Sequence, residues 1–536
     1  MNKVLKNKNL LLKILFVLCC PFYPIYISSC YDFKATMYGS FVAFICMIIF
    51  IFFIKEDFKI KKLLYSFFIS LLLMSHYYNP ENGNINKLNN IIYVICGFYH
   101  NKLFHVTFCL LASIFFTLIV YLFIDRVFPS IISFFKRLST VEKNYLIVLS
   151  VIGISFSIFI SYFTTAFTIP VYDGNKIPYD VFYLSDSGML SYLDVFSNIC
   201  HPENDIRQPL FGFFGYPFST IAIVLSKIFF FLPDGYQYIN SIMMIQFILL
   251  AVTIILIARL LKISDTNKLF FYLFTSVSFS CLLFSMMIEQ YVVAVFYLVV
   301  LIYYYFNSKK VNYWFIAATG SLMTSSILFF MISHEKKIKK IIFDILKCGF
   351  LFFVVYCIIG QFPQLLYSFK LLKNLLSKFS ENVSFVDKLY QYSVFVRGIF
   401  IYPKSISTMS DIIFIHPSYQ LSDASGFDII GIILFIIAVF GFILNRKNKF
   451  SQLCFFWICF SFVLLVLIGW GTVENGLALY CLYFSFAFIS LFYMFFRRII
   501  HKDKVFNIFM IVCTLIMLII NSYGFYNIFK FAITYY

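Results

Sequence analysis

Between Tyr183 and Phe218 the chain reads YLSDSGMLSYLDVFSNICHPENDIRQPLFGFFGYPF, and this stretch holds Asp186, Asp194, Glu203, Asp205, His201 and Arg207. The whole chain is 62% hydrophobic and only 12% charged, so a loop that gathers four acids between apolar segments marks a built site. Two further carboxylates border apolar runs: Glu289 in MMIEQY (Met286–Tyr291) and Glu474 in GWGTVENGLALY (Gly469–Tyr480), with Tyr480 closing that second motif. Ionisable groups at a membrane boundary are costly enough to be functional candidates by default, and these types suit proton transfer and charge recognition. His201 with Glu203 or Asp205 lacks the spacing of a metal site. Each residue also has a plainer role: Asp186 as a turn acid before Gly188, Arg207 as a headgroup anchor, Glu289 and Glu474 as helix caps.

These residues need a framework to position them, and the composition defines its kind. A chain of 536 residues, 22% of them aromatic, with a mean hydropathy of +0.90, belongs with polytopic membrane proteins. Apolar runs of about 20 residues recur along it, each long enough for a hydrocarbon core of about 30 Å. The formal net charge of +18 does not point to nucleic acid, because Lys and Arg stand in short clusters between apolar runs, the pattern that sets membrane orientation. Most of the 14 cysteines lie inside apolar runs, and no CxxC or Cys/His spacing supports a disulfide framework or zinc site. No cofactor is expected.

Apolar length and flanking charge together predict an all-α chain with about thirteen crossings, its N-terminus inside and uncleaved. The first five spans fall at about 11–29, 38–54, 63–79, 103–124 and 145–167, and the fifth delivers the acidic loop to the outside. The run Pro209–Leu232, broken by Gly212, Gly215 and Pro217, is expected to lie flat at the outer interface. A span at about 237–258 and an outward hairpin turning at Glu289 follow. Tyr313–Ile332, with basic clusters at both ends, should dip into the membrane and return. Spans at about 341–360, 428–445, 452–469, 476–496 and 505–521 complete the path. The expected division is an N-terminal group of helices, 1–143, and a catalytic module, 144–536, with outer loops 168–236 and 361–428. The three polar places then face one compartment.

An early loop Asp, here in SDSG (Ser185–Gly188), followed by RQPLF (Arg207–Phe211) entering an interfacial helix, resembles the GT-C superfamily of integral-membrane glycosyltransferases. Protein O-mannosyltransferases and lipid A aminoarabinose transferases belong to it. The Gly-containing segment YWFIAATGSLMTSSILF (Tyr313–Phe329) is similar to that family's hairpin, and GTVENGLALY to its outer segment before a late span. The resemblance covers about Tyr145 to Asn521. Asp-Ser stands where many members have Asp-Glu, and the N-terminus carries extra spans. It implies a polyprenyl-phosphate sugar as donor and a glycan, lipid or protein as acceptor, at the extracytoplasmic face; low charge, frequent Asn, Ile and Lys and short loops point to a bacterial chain and so to a bacterial inner membrane. It further implies Asp186 as the base that takes the acceptor's proton and Arg207 as the cation on the departing phosphate, a group that guanidinium binds bidentately. Asp194, Glu289, Glu474 and Tyr480 are then substrate contacts.

Two other functions fit a polytopic, aromatic-rich chain. An O-antigen-type polymerase would place Arg-rich chemistry in two outer loops, yet Arg397 is the only Arg of Gln361–Asp428. A transporter or flippase of lipid-linked sugars would place charges in mid-span and show an internal repeat, and neither is visible here.

Overall fold

A computed structural model describes residues 2–27, 33–54, 58–77, 102–164, 166–167, 182–183, 207–232, 236–307, 311–335, 337–366, 383–409, 417–421, 426–472 and 477–535. Among them, nine helices are long and apolar enough to cross a bilayer, and a tenth crossing arises if one bent pair is a single span. The chain is thus an all-α integral membrane protein, with one antiparallel pair of strands among the described residues. Many helix faces present large apolar side chains outward, for example Ile147, Val148, Val151 and Ile152 on Thr140–Ser161. A bilayer solvates such faces as readily as a protein core would.

The described residues form two compact units. The first takes those of Met1–Leu138, Asp194–Thr220 and Lys309–Leu371. Its helices include Asn2–Cys19, Phe33–Phe53, Ile60–Tyr77, Lys102–Leu122 and Ile338–Ile358. Aromatic side chains fill its core: the Tyr23 and Phe116 rings stack at 5.7 Å, and Phe58 meets Tyr121 edge-on at 5.2 Å. Buried hydroxyls are satisfied along the helices themselves, as where Ser66, Ser70, Ser113 and Thr117 each donate to the carbonyl four residues back. At one end Lys62 pairs with Asp125, the Lys59 backbone N–H donates to the Tyr121 hydroxyl, and Lys13 donates to the Ile54 carbonyl. Lys59 and Lys62 therefore share an end of this unit with Asp125.

The second unit takes the described residues of Ser139–Leu193, Ile221–Ser308 and Leu372–Tyr536. Its central helices are Tyr236–Leu260 and Leu477–Ile499, whose apolar windows are 89% and 100% buried. Their hydrophobicity on all sides reflects enclosure by other helices rather than contact with lipid. Ile429–Leu444 packs by a different device. Gly431, Leu434, Ala438 and Gly441 face inward, and a Cβ at Gly431 or Gly441 would strike the Ser393 or Leu491 carbonyl oxygen. Small residues let the backbones approach, as membrane helices commonly require. At the start of Thr140–Ser161, Ser139 and Glu142 form a capping box, and buried Glu142 also binds Arg259 through both oxygens (3.0 and 2.6 Å) and Lys268 at 3.0 Å.

Two departures from the sequence expectation concern this unit. The expected loop 361–428 contains not only a helix, Phe385–Phe400, but an antiparallel pair of strands, Ser405–Met409 and Pro417–Leu421, with Ser407 opposite Tyr419. The last helix runs Asp503–Tyr535, 33 residues, well past the expected end at 521. At 1.5 Å per residue it is about 50 Å long and exceeds a single hydrocarbon thickness. That tail holds no Pro, and its one glycine, Gly524, fits against the Tyr402 ring, where a Cβ would collide.

The helices Asp265–Ser276 and Phe279–Met286 meet at a 66° bend. Breaking a helix exposes carbonyls that have no partner within it. Asn521, fully buried, supplies one: its amide donates to the Val277 carbonyl at the bend (2.7 Å) and to Phe400 O at the end of Phe385–Phe400 (3.0 Å). Its oxygen accepts from Tyr402 N–H at 2.7 Å.

Candidate functional site

Three polar clusters among the described residues bear on the sequence candidates, each within one unit. The first lies in the first unit and joins two motifs that the sequence offered separately. Leu210 N–H donates to the Gly320 carbonyl at 2.8 Å, and Met323 N–H donates to the Arg207 carbonyl at 2.6 Å. RQPLF is thus fastened along the break between the helix Asn312–Ser321 and the 3-10 helix Met323–Met331, where Leu322 is extended (φ −152°, ψ 99°). Gly320 allows this approach, since a Cβ there would lie 2.8 Å from Leu210 Cβ and from the Phe214 ring. At 10 and 9 residues neither helix spans a hydrocarbon core. The 3-10 geometry also repeats every three residues, and Leu322, Ser325, Leu328 and Met331 form its buried stripe. The helix after RQPLF, Phe211–Ser226, has 16 residues with Pro217 inside it. That is about 24 Å, less than a full crossing.

The second cluster surrounds Glu289 in the second unit. Glu289 is 1% exposed and sits on the non-helical link between Phe279–Met286 and Tyr291–Asn307. Gln246, also buried, holds the end of the preceding helix by donating to Phe284 O (2.8 Å) and Met287 O (2.6 Å). Two residues past Glu289, Tyr291 meets the Tyr483 ring edge-on at 4.8 Å, and Tyr483 lies 6.4 Å from Tyr480. The Tyr480 hydroxyl accepts from Trp470 Nε1 at 3.0 Å. Trp470 lies in a turn whose Gly469 and Gly471 have φ of +78° and +81°, a conformation that needs glycine. Gly471 also rests against the Tyr480 ring. MMIEQY and GWGTVENGLALY, nearly 200 positions apart, therefore converge through an aromatic chain.

The third cluster stands at the entry to the acidic loop, in the second unit. Phe182 makes a parallel bridge to Tyr419, and Tyr183 N–H donates to Tyr419 O at 2.7 Å, so the chain before Asp186 is anchored to the strand pair. Tyr183 holds a left-handed φ of 55°, a strained conformation for a tyrosine. Its hydroxyl lies 3.1 Å from Ser405 Oγ, and the Tyr402 and Tyr419 hydroxyls bond to each other. Burial pushes all three phenols above their usual range. They act here as neutral hydroxyls. On the helix before the strands, Phe385–Phe400, Arg397 pairs with Asp428 at 2.8 Å and donates to Tyr402 O at 3.1 Å, so the only Arg of 361–428 braces the fold around the pair of strands.

Of the sequence candidates, Arg207, Glu289 and Tyr480 are placed as above. Asp186, Asp194 and Glu474 lie outside the described residues, as do His201, Glu203 and Asp205. Among the described residues no group of three or more His, Cys, Asp and Glu could hold a metal ion. Sequence reasoning did not single out Tyr291, Tyr483 or Asn521, nor the hydroxyls of Thr319, Ser321 and Ser325. The last three had a visible signal: TGSLMTSS (Thr319–Ser326) is a run of hydroxyls inside an apolar segment. No protein-family model, curated protein or solved structure matches the chain.

Proposed function

We propose that the protein is a membrane glycosyltransferase. It moves a sugar from a polyprenyl-phosphate donor to a glycan, lipid or protein acceptor at the outer face of a bacterial inner membrane. In this reading the chain crosses about thirteen times with its N-terminus inside, and the segment 313–332 is re-entrant. The bond between the anomeric carbon and the phosphate oxygen breaks, and the phosphate leaves with the electron pair. The acceptor oxygen bonds to the anomeric carbon, and its proton passes to Asp186. Arg207 holds the departing phosphate. Asp194, Glu289, Glu474 and Tyr480 contact substrate.

The observation that supports this reading best is the fastening of RQPLF onto the broken segment at Gly320–Met323. A cation-bearing segment and a re-entrant hairpin were each suggested by the GT-C resemblance, and their pairing keeps Arg207 beside non-helical backbone. Asp186→Asn should abolish surface glycan modification while membrane insertion stays intact, read by mass spectrometry of glycans from cells carrying each form. Full modification by that variant removes Asp186 as the base.

The two interrupted helices, at the 66° bend and at Leu322, favour one second reading, since transporters often carry discontinuous helices. A flippase of lipid-linked sugars would move its lipid across proteoliposomes without forming a new glycosidic bond. Product formation in the same vesicles separates the two.

A further inference from the structure

We propose that the hydroxyls of Thr319, Ser321 and Ser325 form, with Arg207, the subsite that holds the phosphate oxygens of the donor; this rests on the lipid-phosphate reading above. Many buried hydroxyls among the described residues are satisfied by the carbonyl four residues back, as at Ser113, Thr117, Thr253 and Thr275. The hydroxyls at the break differ. Thr319 is 3% exposed, Ser321 and Ser325 are fully buried, and none of the three oxygens has a hydrogen-bond partner among the described residues. Leu322, extended between the two helices, interrupts the helical ladder there, and Ser325 N–H turns back to Leu322 O at 2.9 Å. Buried hydroxyls without partners are costly, and three of them fall within seven residues of chain at the break where Met323 N–H holds the Arg207 backbone, a place suited to a ligand that accepts hydrogen bonds.

An anion suits the place better than a cation. The segments 207–220 and 311–333 contain no Asp or Glu. The 3-10 helix Met323–Met331 turns its N-terminal end, the positive one, toward this break, and Met323 N–H fastens Arg207 to it. Hydroxyl donors, a helix N-terminus and a guanidinium together are the chemistry of phosphate.

The full-length protein in neutral-lipid nanodiscs would be titrated with polyprenyl phosphate, with the matching polyprenol and with inorganic phosphate. The double variant Ser321→Ala/Ser325→Ala should bind polyprenyl phosphate about 10–100-fold more weakly, with polyprenol binding unchanged. Because those hydroxyls lack partners without ligand, the double variant's own melting temperature should hold or rise, while its shift on adding polyprenyl phosphate shrinks. Binding within twofold of the parent, alongside a loss in Arg207→Ala, overturns the hydroxyl subsite and leaves the donor reading standing. A drop in the unliganded melting temperature without a binding loss assigns the hydroxyls to the fold and also overturns it. Equal binding of polyprenol and polyprenyl phosphate overturns phosphate recognition. Inorganic phosphate competing at equal affinity replaces the lipid source with free phosphate. No binding of polyprenyl phosphate by the parent defeats the donor reading itself.

Discussion

Asn521 offers the sharpest test of how the second unit is held. Its side chain satisfies Val277 O at the 66° bend, Phe400 O at a helix end and Tyr402 N–H beside the strand pair, at 2.7, 3.0 and 2.7 Å. Asn521→Ala removes all three bonds in a buried place. A stranded N–H and two stranded carbonyls cost about 1–3 kcal/mol each, and the carbonyls fall toward the low end. With some relaxation the loss is about 4 kcal/mol, or about a thousandfold in the folding equilibrium. Asn521→Leu fills the volume but restores no bond, so it should lose a similar amount. Asn521→Asp keeps an acceptor for Tyr402 N–H and should fall between. The measurement is unfolding of purified protein in mixed detergent micelles, followed by tryptophan fluorescence. A loss below about 1 kcal/mol in both Asn521→Ala and Asn521→Leu would refute the reasoning, because the groups at the bend would then have other partners.

Two further outcomes are expected. Gly320→Ala places a Cβ 2.8 Å from Leu210 Cβ and the Phe214 ring, so it should push RQPLF off the broken segment, cost about 1–3 kcal/mol and lower glycan modification with it; unchanged stability and activity would show that the two segments are not tightly joined. The raised phenols of Tyr183, Tyr402 and Tyr419 bear on alkaline stability. Folded values above the unfolded value of about 10 mean that their contribution is intact below about pH 10 and is lost above it, where unfolded phenols ionise first. Phenolate absorbance of the parent minus Tyr419→Phe should therefore rise only with unfolding, and a rise near pH 10 with the fold intact would refute the burial argument.

The sequence by itself determined the class of this protein and the places of most helices. A run of about 20 apolar residues is a local property, and its length against the bilayer decides whether it spans. Helices therefore stand at Tyr236–Leu260, Ile338–Ile358 and Lys449–Phe462 close to where apolar length put them. Within 313–332 basic clusters flank a Gly-containing run, from which a dip into the membrane is expected, and the structure interrupts the helix there at Leu322. Composition also pointed to Arg207 and Glu289, because charge in an apolar chain is conspicuous one residue at a time.

Tertiary structure alone decided which of these residues meet. Leu210 with Gly320, Tyr291 with Tyr483, and Asn521 with Val277 and Tyr402 are contacts between residues about 110 to 240 positions apart, and no periodicity records them. The strand pair escaped notice because Ser405–Met409 and Pro417–Leu421 are short, and the chain around Tyr183 and the last helix complete their setting. Aromatic and β-branched residues in short runs do not distinguish strand from helix until a partner segment supplies hydrogen bonds. Tyr480 illustrates the limit: its position beside a polar motif was plain, but only the fold shows Trp470 Nε1 donating to its hydroxyl. Local hydrophobic length fixes where a chain enters the membrane, whereas polar partners depend on distant backbone that must first be packed.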